Sequence, residues 1–253
     1  METYTPDHVE TKEVKASPIK ATFSMTKVLL WMGLGLLVTA IVSLSLPDLL
    51  LAITGGDAGS LSVAYIVLYV IGAIAILPCA IIIGMKAMTN KKVGITIAYF
   101  VYAIAIGIIL STIFMQVLAI NSAQAFNIIS ISFFITAGCF LLMGGIGALT
   151  KKSLSGLIPF ISTFLIGALI LSLVNIFLQS EPLYWIIDFV ILAFILICTA
   201  VDMNQVRKLV ESKQFEDSYS MTIYSAFTLY VDFINIFIRI IYYVLLLFGR
   251  RDS

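Results

Sequence analysis

Long apolar stretches separated by short polar turns dominate the pattern of the chain. A helix rises about 1.5 Å per residue, so about 20 apolar residues cross the hydrocarbon core of a bilayer. Seven stretches have about that length or more, at residues 28–46, 61–85, 93–116, 124–149, 154–178, 183–205 and 219–247. We therefore predict an all-α polytopic membrane protein with seven transmembrane helices in residues 23–249, preceded by a polar tail (1–22) and followed by a short one (250–253).

The basic residues lie on alternate connections, which predicts the orientation. They are Lys12, Lys15, Lys20 and Lys27 before the first span, Lys86, Lys91 and Lys92 after the second, Lys151 and Lys152 after the fourth, and Arg207, Lys208 and Lys213 after the sixth. The connections near 48–60, 117–123 and 179–182 contain no Lys or Arg. Because Lys and Arg favour the cytoplasmic side, we predict a cytoplasmic N-terminus. Seven crossings then place Arg250 and Arg251 outside, against this rule; the alternative is a last segment that re-enters without crossing.

Composition narrows the classes of function. The chain is 61% hydrophobic and only 11% charged, whereas about a quarter of a soluble globular protein is charged. The net charge of +1 gives no indication of nucleic-acid binding. The only histidine is His8 in the polar tail, which argues against a histidine metal site or a catalytic triad, and we expect no tightly bound cofactor. The three cysteines lie in apolar runs and are interpreted as packing residues.

Four charged residues lie inside the predicted spans, where each is costly: Asp188, Asp202, Asp232 and Arg239. A hairpin places two of them at similar depth. Residues 206–211 continue the sixth helix with apolar residues at helical spacing, and a polar apex follows at 215–218. The midpoint of 202 and 232 is 217, within that apex. Asp202 and Asp232 are therefore predicted to lie at similar depth, about 22 Å from the turn.

Two facing carboxyl groups in a poorly solvated site have a distinctive chemistry. They cannot both ionise cheaply, so they share one proton and titrate as a unit, which makes a proton sensor. When both are ionised, they offer oxygen ligands to a cation such as calcium. The alternative interpretation is that either aspartate is solvated near the headgroups or caps a helix.

Other polar residues are candidates for a counter-charge or a path. Asp232, Asn235 and Arg239 share one helix face, so Arg239 is a possible structural counter-charge, or it extends to the interface. Asp188 precedes Asp202 by fourteen residues on nearly the same face, about 21 Å away. It marks either the outer end of a polar path or simply the outer interface.

The chain resembles the bacterial branch of the transmembrane Bax inhibitor motif family. The resemblance rests on LYVDFINIF at 229–237, VDMNQ at 201–205, IGALTKKSL at 146–154, VNIF at 174–177 and FGRR at 248–251. It implies seven helices with the last one surrounded by the other six, and a location in the bacterial cytoplasmic membrane. It also implies a pH-sensitive calcium leak controlled by two aspartates, whose positions Asp202 and Asp232 occupy. A family member carries a basic latch of arginines after the second helix; this chain has Lys86 there, and lysine cannot make the same planar bidentate contact.

Other functions remain as alternatives. Intramembrane aspartyl proteases also carry one aspartate on each of two helices, but their Gly-x-Gly-Asp signature is missing before Asp232. A retinal protein is excluded because the seventh span contains no lysine. A non-conducting protein that docks on other membrane proteins, such as a membrane protease, is the main alternative. We predict that the protein is not an enzyme and that its partners are the lipid bilayer, calcium and protons.

Overall fold

A computed structural model describes residues 23–89, 92–120, 123–212 and 218–249. The described part contains seven α-helices, with a short 3-10 turn (Ser155–Leu157) before the fifth. The helices are α1 (Met25–Thr54), α2 (Ala58–Lys86), α3 (Lys92–Ile120), α4 (Ala125–Leu149), α5 (Ile158–Leu178), α6 (Glu181–Glu211) and α7 (Tyr219–Gly249). All seven are long and apolar enough to span a membrane. This confirms the predicted all-α, multi-pass fold.

Parts of several sequence predictions lie outside the described residues. These are the polar tail at 1–22, Lys91, the turn at 121–122, Lys213, the hairpin apex at 215–217 and the tail at 250–253.

The first helix is longer than predicted. The predicted span ends at residue 46, just before Pro47, but α1 continues through this proline to Thr54 and ends at Gly55, which adopts the left-handed conformation (φ 63°). A proline within a membrane helix is tolerated where neighbouring groups satisfy the freed backbone atoms. Glycine is favoured at such a helix end, because it adopts the left-handed conformation without steric cost.

The connection between α1 and α2 ends in a helix cap. The Asp57 carboxylate accepts a hydrogen bond from the backbone N–H of Ser60 at 2.8 Å. Hydrogen bonds from the Ser60 backbone and side chain hold the pKa of the Asp57 carboxyl below its usual value. Asp57 therefore satisfies a free N–H group at the first turn of α2.

The last helix lies at the centre of the bundle. It contacts α1, α2, α3, α4 and α6. The expectation that six helices surround it is wrong in one respect: α5 packs on α6 and does not touch α7. Only Ile161 and Ala168 of α5 are buried, so this helix lies at the periphery. At 31 residues, or about 46 Å, α7 is long enough to cross completely, which argues against the re-entrant alternative.

Candidate functional site

Two carboxyl groups meet between α6 and α7. Asp202 and Asp232 lie close enough for a hydrogen bond between their side chains. Asp232 is only 7% exposed, and Asp202 is half-buried. The structure thus brings together the two residues that the hairpin geometry paired. Cys198, one turn before Asp202 on α6, lies near both carboxyl groups.

One oxygen of this pair lacks a donor. Asp232 Oδ2 is buried and has no hydrogen-bond partner among the described residues. Two ionised carboxylates can only accept hydrogen bonds, so they cannot bond to each other without a proton. A buried carboxylate oxygen without a partner is costly. A shared proton or a cation would satisfy this oxygen, for which the described residues provide no donor.

Close packing against α4 positions Asp202. A Cβ atom placed on Gly147 of α4 would lie 2.1 Å from the backbone oxygen of Ala200 on α6. Only glycine allows the two backbones to approach this closely. The contact is half a turn from Asp202 and fixes α6 against α4.

A buried amide next to the pair anchors the same helix. Asn204 is fully buried, and its Nδ2 donates to the backbone oxygens of Gly147 (3.0 Å) and Thr150 (2.7 Å). Its Oδ1 accepts from the backbone N–H of Leu154 at 3.1 Å. Arg207 also donates to the Thr150 oxygen, at 3.0 Å. Together these bonds tie the end of α6 to the connection between α4 and α5.

The side chain of Tyr230 positions Asp232 on α7. Tyr230 is fully buried, and its hydroxyl lies 2.6 Å from the Thr39 hydroxyl of α1. Thr39 in turn donates to the backbone oxygen of Ala103 on α3 at 3.0 Å. Since the Thr39 hydrogen is used in that bond, Tyr230 is the donor to Thr39. This chain of bonds holds α7 against α1 and α3, two residues before Asp232.

Arg239 is the counter-charge of a different aspartate. Its guanidinium forms an ion pair with Asp188 of α6, whose second oxygen accepts a hydrogen bond from the Tyr243 hydroxyl. No ion pair joins Arg239 to Asp232 in the described part of the chain. Asn235 lies between these two levels of α7 and is exposed. Asp188 therefore links α6 to α7 through this ion pair.

Lys86 occupies the position where a family member has its basic latch. Its ammonium lies beside Gly94 at the start of α3. Within the described ranges it forms an ion pair with neither Asp202 nor Asp232. Its role in a latch stays a prediction.

Sequence reasoning missed several residues of the site. Tyr230 and Asn204 lie in the segments that carry the family resemblance, but neither was identified as a site residue. Nothing in the sequence pattern points to Tyr243 or Thr39. A buried Asn near the end of a span is itself a signal, because its amide needs partners. The partners of Thr39 and Tyr243 lie on other helices, and one sequence does not reveal them.

Comparison with known proteins decides the family. The family profile described as "Inhibitor of apoptosis-promoting Bax1" matches residues 22–251. The chain belongs to this family. The Bax inhibitor-1 family assignment covers all seven helices and includes Asp202 and Asp232, in agreement with the resemblance of the sequence segments.

Relatives in the Bax inhibitor-1 family come from several bacteria. The chain is 33% identical over 236 residues to the "Inner membrane protein YbhL" of Escherichia coli, covering 90% of this chain and 91% of the relative. It is 30% identical over 160 residues to an uncharacterised protein of Borreliella burgdorferi, covering 62% of this chain and 64% of the relative. An uncharacterised membrane protein of Streptococcus pyogenes is 30% identical over 121 residues, 48% of this chain and 51% of the relative.

Proposed function

We propose that the protein is a pH-sensitive calcium leak channel of the bacterial cytoplasmic membrane, gated by Asp202 and Asp232. The observation that carries the proposal is the meeting of two carboxyl groups between α6 and α7, with one buried oxygen for which no described residue is a donor. Intramembrane carboxylates are expensive and typically mark ion or proton pathways. An enzymatic role is not part of the proposal.

The protonation state of the pair sets the force between α6 and α7. With one proton, the two groups form a carboxyl–carboxylate hydrogen bond, which is short and strong. With none, two negative charges repel in a poorly solvated site, and the helices separate or a cation is recruited. The arrangement of α6 and α7 therefore responds to pH through this contact.

Calcium is proposed as a passing ion and not as a resident one. Ca²⁺ normally takes about six to eight oxygen ligands. The described residues contain no group of three or more Asp, Glu, His or Cys side chains that could hold a metal. Two carboxylates offer a weak and transient site, which suits conduction because a tightly held ion would not leave.

Orientation and location belong to the same proposal. The alternating lysines favour a cytoplasmic N-terminus, which places the start of α7 inside and its end outside. The Escherichia coli relative is named an inner membrane protein, which supports the cytoplasmic membrane as the location.

Calcium flux into proteoliposomes as a function of pH tests the proposal. Wild type should pass calcium down its gradient with a step in its pH profile. Asp202→Asn and Asp232→Asn should each remove that step, because a single carboxyl group has no like charge to repel it. The double variant should add little to either single one, since the two groups act as a unit. Asp57→Asn is the matched control: the asparagine can still cap α2, so the pH step should remain.

Two results would contradict the proposal. Flux equal to that of protein-free liposomes at every pH would favour the non-conducting alternative, in which the protein acts on other membrane proteins. Flux in which both single variants keep the wild-type pH profile would show that the aspartates are not a coupled sensor.

A further inference from the structure

The ion pair between Asp188 and Arg239 lies inside the span at the end of the bundle opposite the N-terminus. Its side chains are 14% and 25% exposed, so both charges are largely buried. Asp188 accepts from Arg239 with one oxygen and from the Tyr243 hydroxyl with the other. The pair therefore bridges α6 and α7 at a second level, separate from that of Asp202 and Asp232.

This ion pair borders a cleft of about 370 Å³ between α3, α6 and α7. On α7 the cleft runs from Leu245 to Asn235, ten residues or about 15 Å. Its polar lining consists of Gln116, Tyr184, Asp188, Asn235, Arg239 and Tyr242. Such a volume holds several water molecules, each of which occupies about 30 Å³ in the liquid. Asp188 and Arg239 also border a second cleft, which extends towards Asn175 of α5.

The floor of the first cleft approaches the aspartate pair. Asn235 is one helical turn beyond Asp232 and is exposed, although it lies near the middle of the central helix. A polar side chain exposed at this depth is costly unless it faces a wet cavity. Asn235 lines the cleft, so the cleft provides that cavity. Polar lining thus extends from the end of the bundle to within one turn of Asp232.

We propose that this cleft is the outer access route for cations and that the Asp188–Arg239 ion pair sets its charge. The inference rests on the proposed calcium leak and identifies its outer barrier. Arg239 repels an approaching cation, and Asp188 cancels most of that repulsion because the two charges are in contact. The balance between them determines how readily a cation reaches Asp232.

This role predicts opposite effects of the two neutralising substitutions. Arg239→Gln leaves the Asp188 carboxylate uncompensated, which attracts cations and should raise calcium flux severalfold. Asp188→Asn leaves the guanidinium uncompensated and should lower it severalfold. The double variant should lie between the two. An ion pair that only stabilised the fold would respond differently, because losing either partner would impair the protein in the same direction.

The charge of the cleft can be measured without any calcium flux. In a chain whose Cys79, Cys139 and Cys198 are replaced by alanine, Asn235→Cys places a thiol on the cleft floor. Membrane-impermeant cationic and anionic methanethiosulfonate reagents, added outside intact cells, should both modify it. Adding Arg239→Gln should shift the ratio of modification rates towards the cationic reagent, and adding Asp188→Asn should shift it towards the anionic one. Ile236→Cys is the matched control, because Ile236 is fully buried and should not react.

The outcomes separate this inference from the proposed function. If position 235 does not react from outside, or if the two neutralising substitutions shift the rate ratio in the same direction, the outer route is overturned. A measurable calcium leak with the pH step removed by Asp232→Asn would then still stand. If the rate ratio shifts as expected but no variant passes calcium, the charged cleft stands and the calcium channel fails.

Discussion

A methyl group at Gly147 tests the close contact that positions Asp202. In Gly147→Ala the new Cβ would lie 2.1 Å from the Ala200 oxygen, 2.8 Å from its carbonyl carbon and 3.0 Å from its Cα. All three are backbone atoms and cannot rotate away. Carbon–oxygen contacts are normally about 3.3 Å or longer, so α4 and α6 must separate by roughly 1 Å. Overpacking of this kind typically costs about 1–3 kcal/mol.

Gly145→Ala is the matched control for this substitution. It lies on the same helix, and a Cβ there meets nothing within 4 Å. Both variants gain the same helix propensity, up to about 1 kcal/mol, so the difference between them isolates the contact. At about 2–4 °C per kcal/mol for a protein of this size, the midpoint of thermal unfolding of Gly147→Ala in detergent should lie roughly 2–12 °C below that of Gly145→Ala. Equal midpoints would refute the close approach of the two backbones.

Two further predictions concern the anchor of α6 and the orientation. Asn204→Ala removes three hydrogen bonds from α6 to the end of α4 and the connection that follows it. Each such bond is worth about 0.6–1.7 kcal/mol in membrane proteins, so the unfolding free energy should fall by roughly 2–5 kcal/mol. Gln205→Ala, beside it and not fully buried, is the control, and a loss no larger than the control's would contradict the anchoring role. In a cysteine-free chain, Lys151→Cys should react with impermeant thiol reagents only from the cytoplasmic side, and ready labelling from outside intact cells would reverse the proposed orientation.

The sequence predicted the number of helices but not which of them lie inside the bundle. The spans in α2 and α5 have mean hydropathies of 2.9 and 2.5, and those in α3 and α7 have 2.4 and 2.0. Yet 50% of the α3 span and 44% of the α7 span are buried, against 17% and 11% for α2 and α5. Lipid tails are as apolar as a protein interior, so hydropathy does not separate the two surroundings. The central position of α7 was expected from the family resemblance, and the peripheral position of α5 was missed.

The sequence predicted one contact between charged residues of α6 and α7 but not the other. The pairing of Asp202 with Asp232 could be predicted because one short hairpin fixes the relative depth of two adjacent helices. The ion-pair partner of Arg239 could not be predicted in this way. Sharing a face with Asp232 suggested a counter-charge, but seven residues correspond to about 10 Å of rise. Asp188 lies on another helix, and its contact with Arg239 depends on helix tilt and rotation, which packing decides.

The surroundings of α6 restrict how the proposed gate can move. Asp202 contacts Asp232 on α7, while Asn204, two residues later, is bonded to the connection between α4 and α5. Moving α6 towards α4 would press Ala200 against Gly147, where no room remains. The ion pair between Asp188 and Arg239 holds the same two helices together at the other end. Repulsion between the two carboxylates is therefore expected to tilt or rotate α6 about these contacts, or to displace α4 with it.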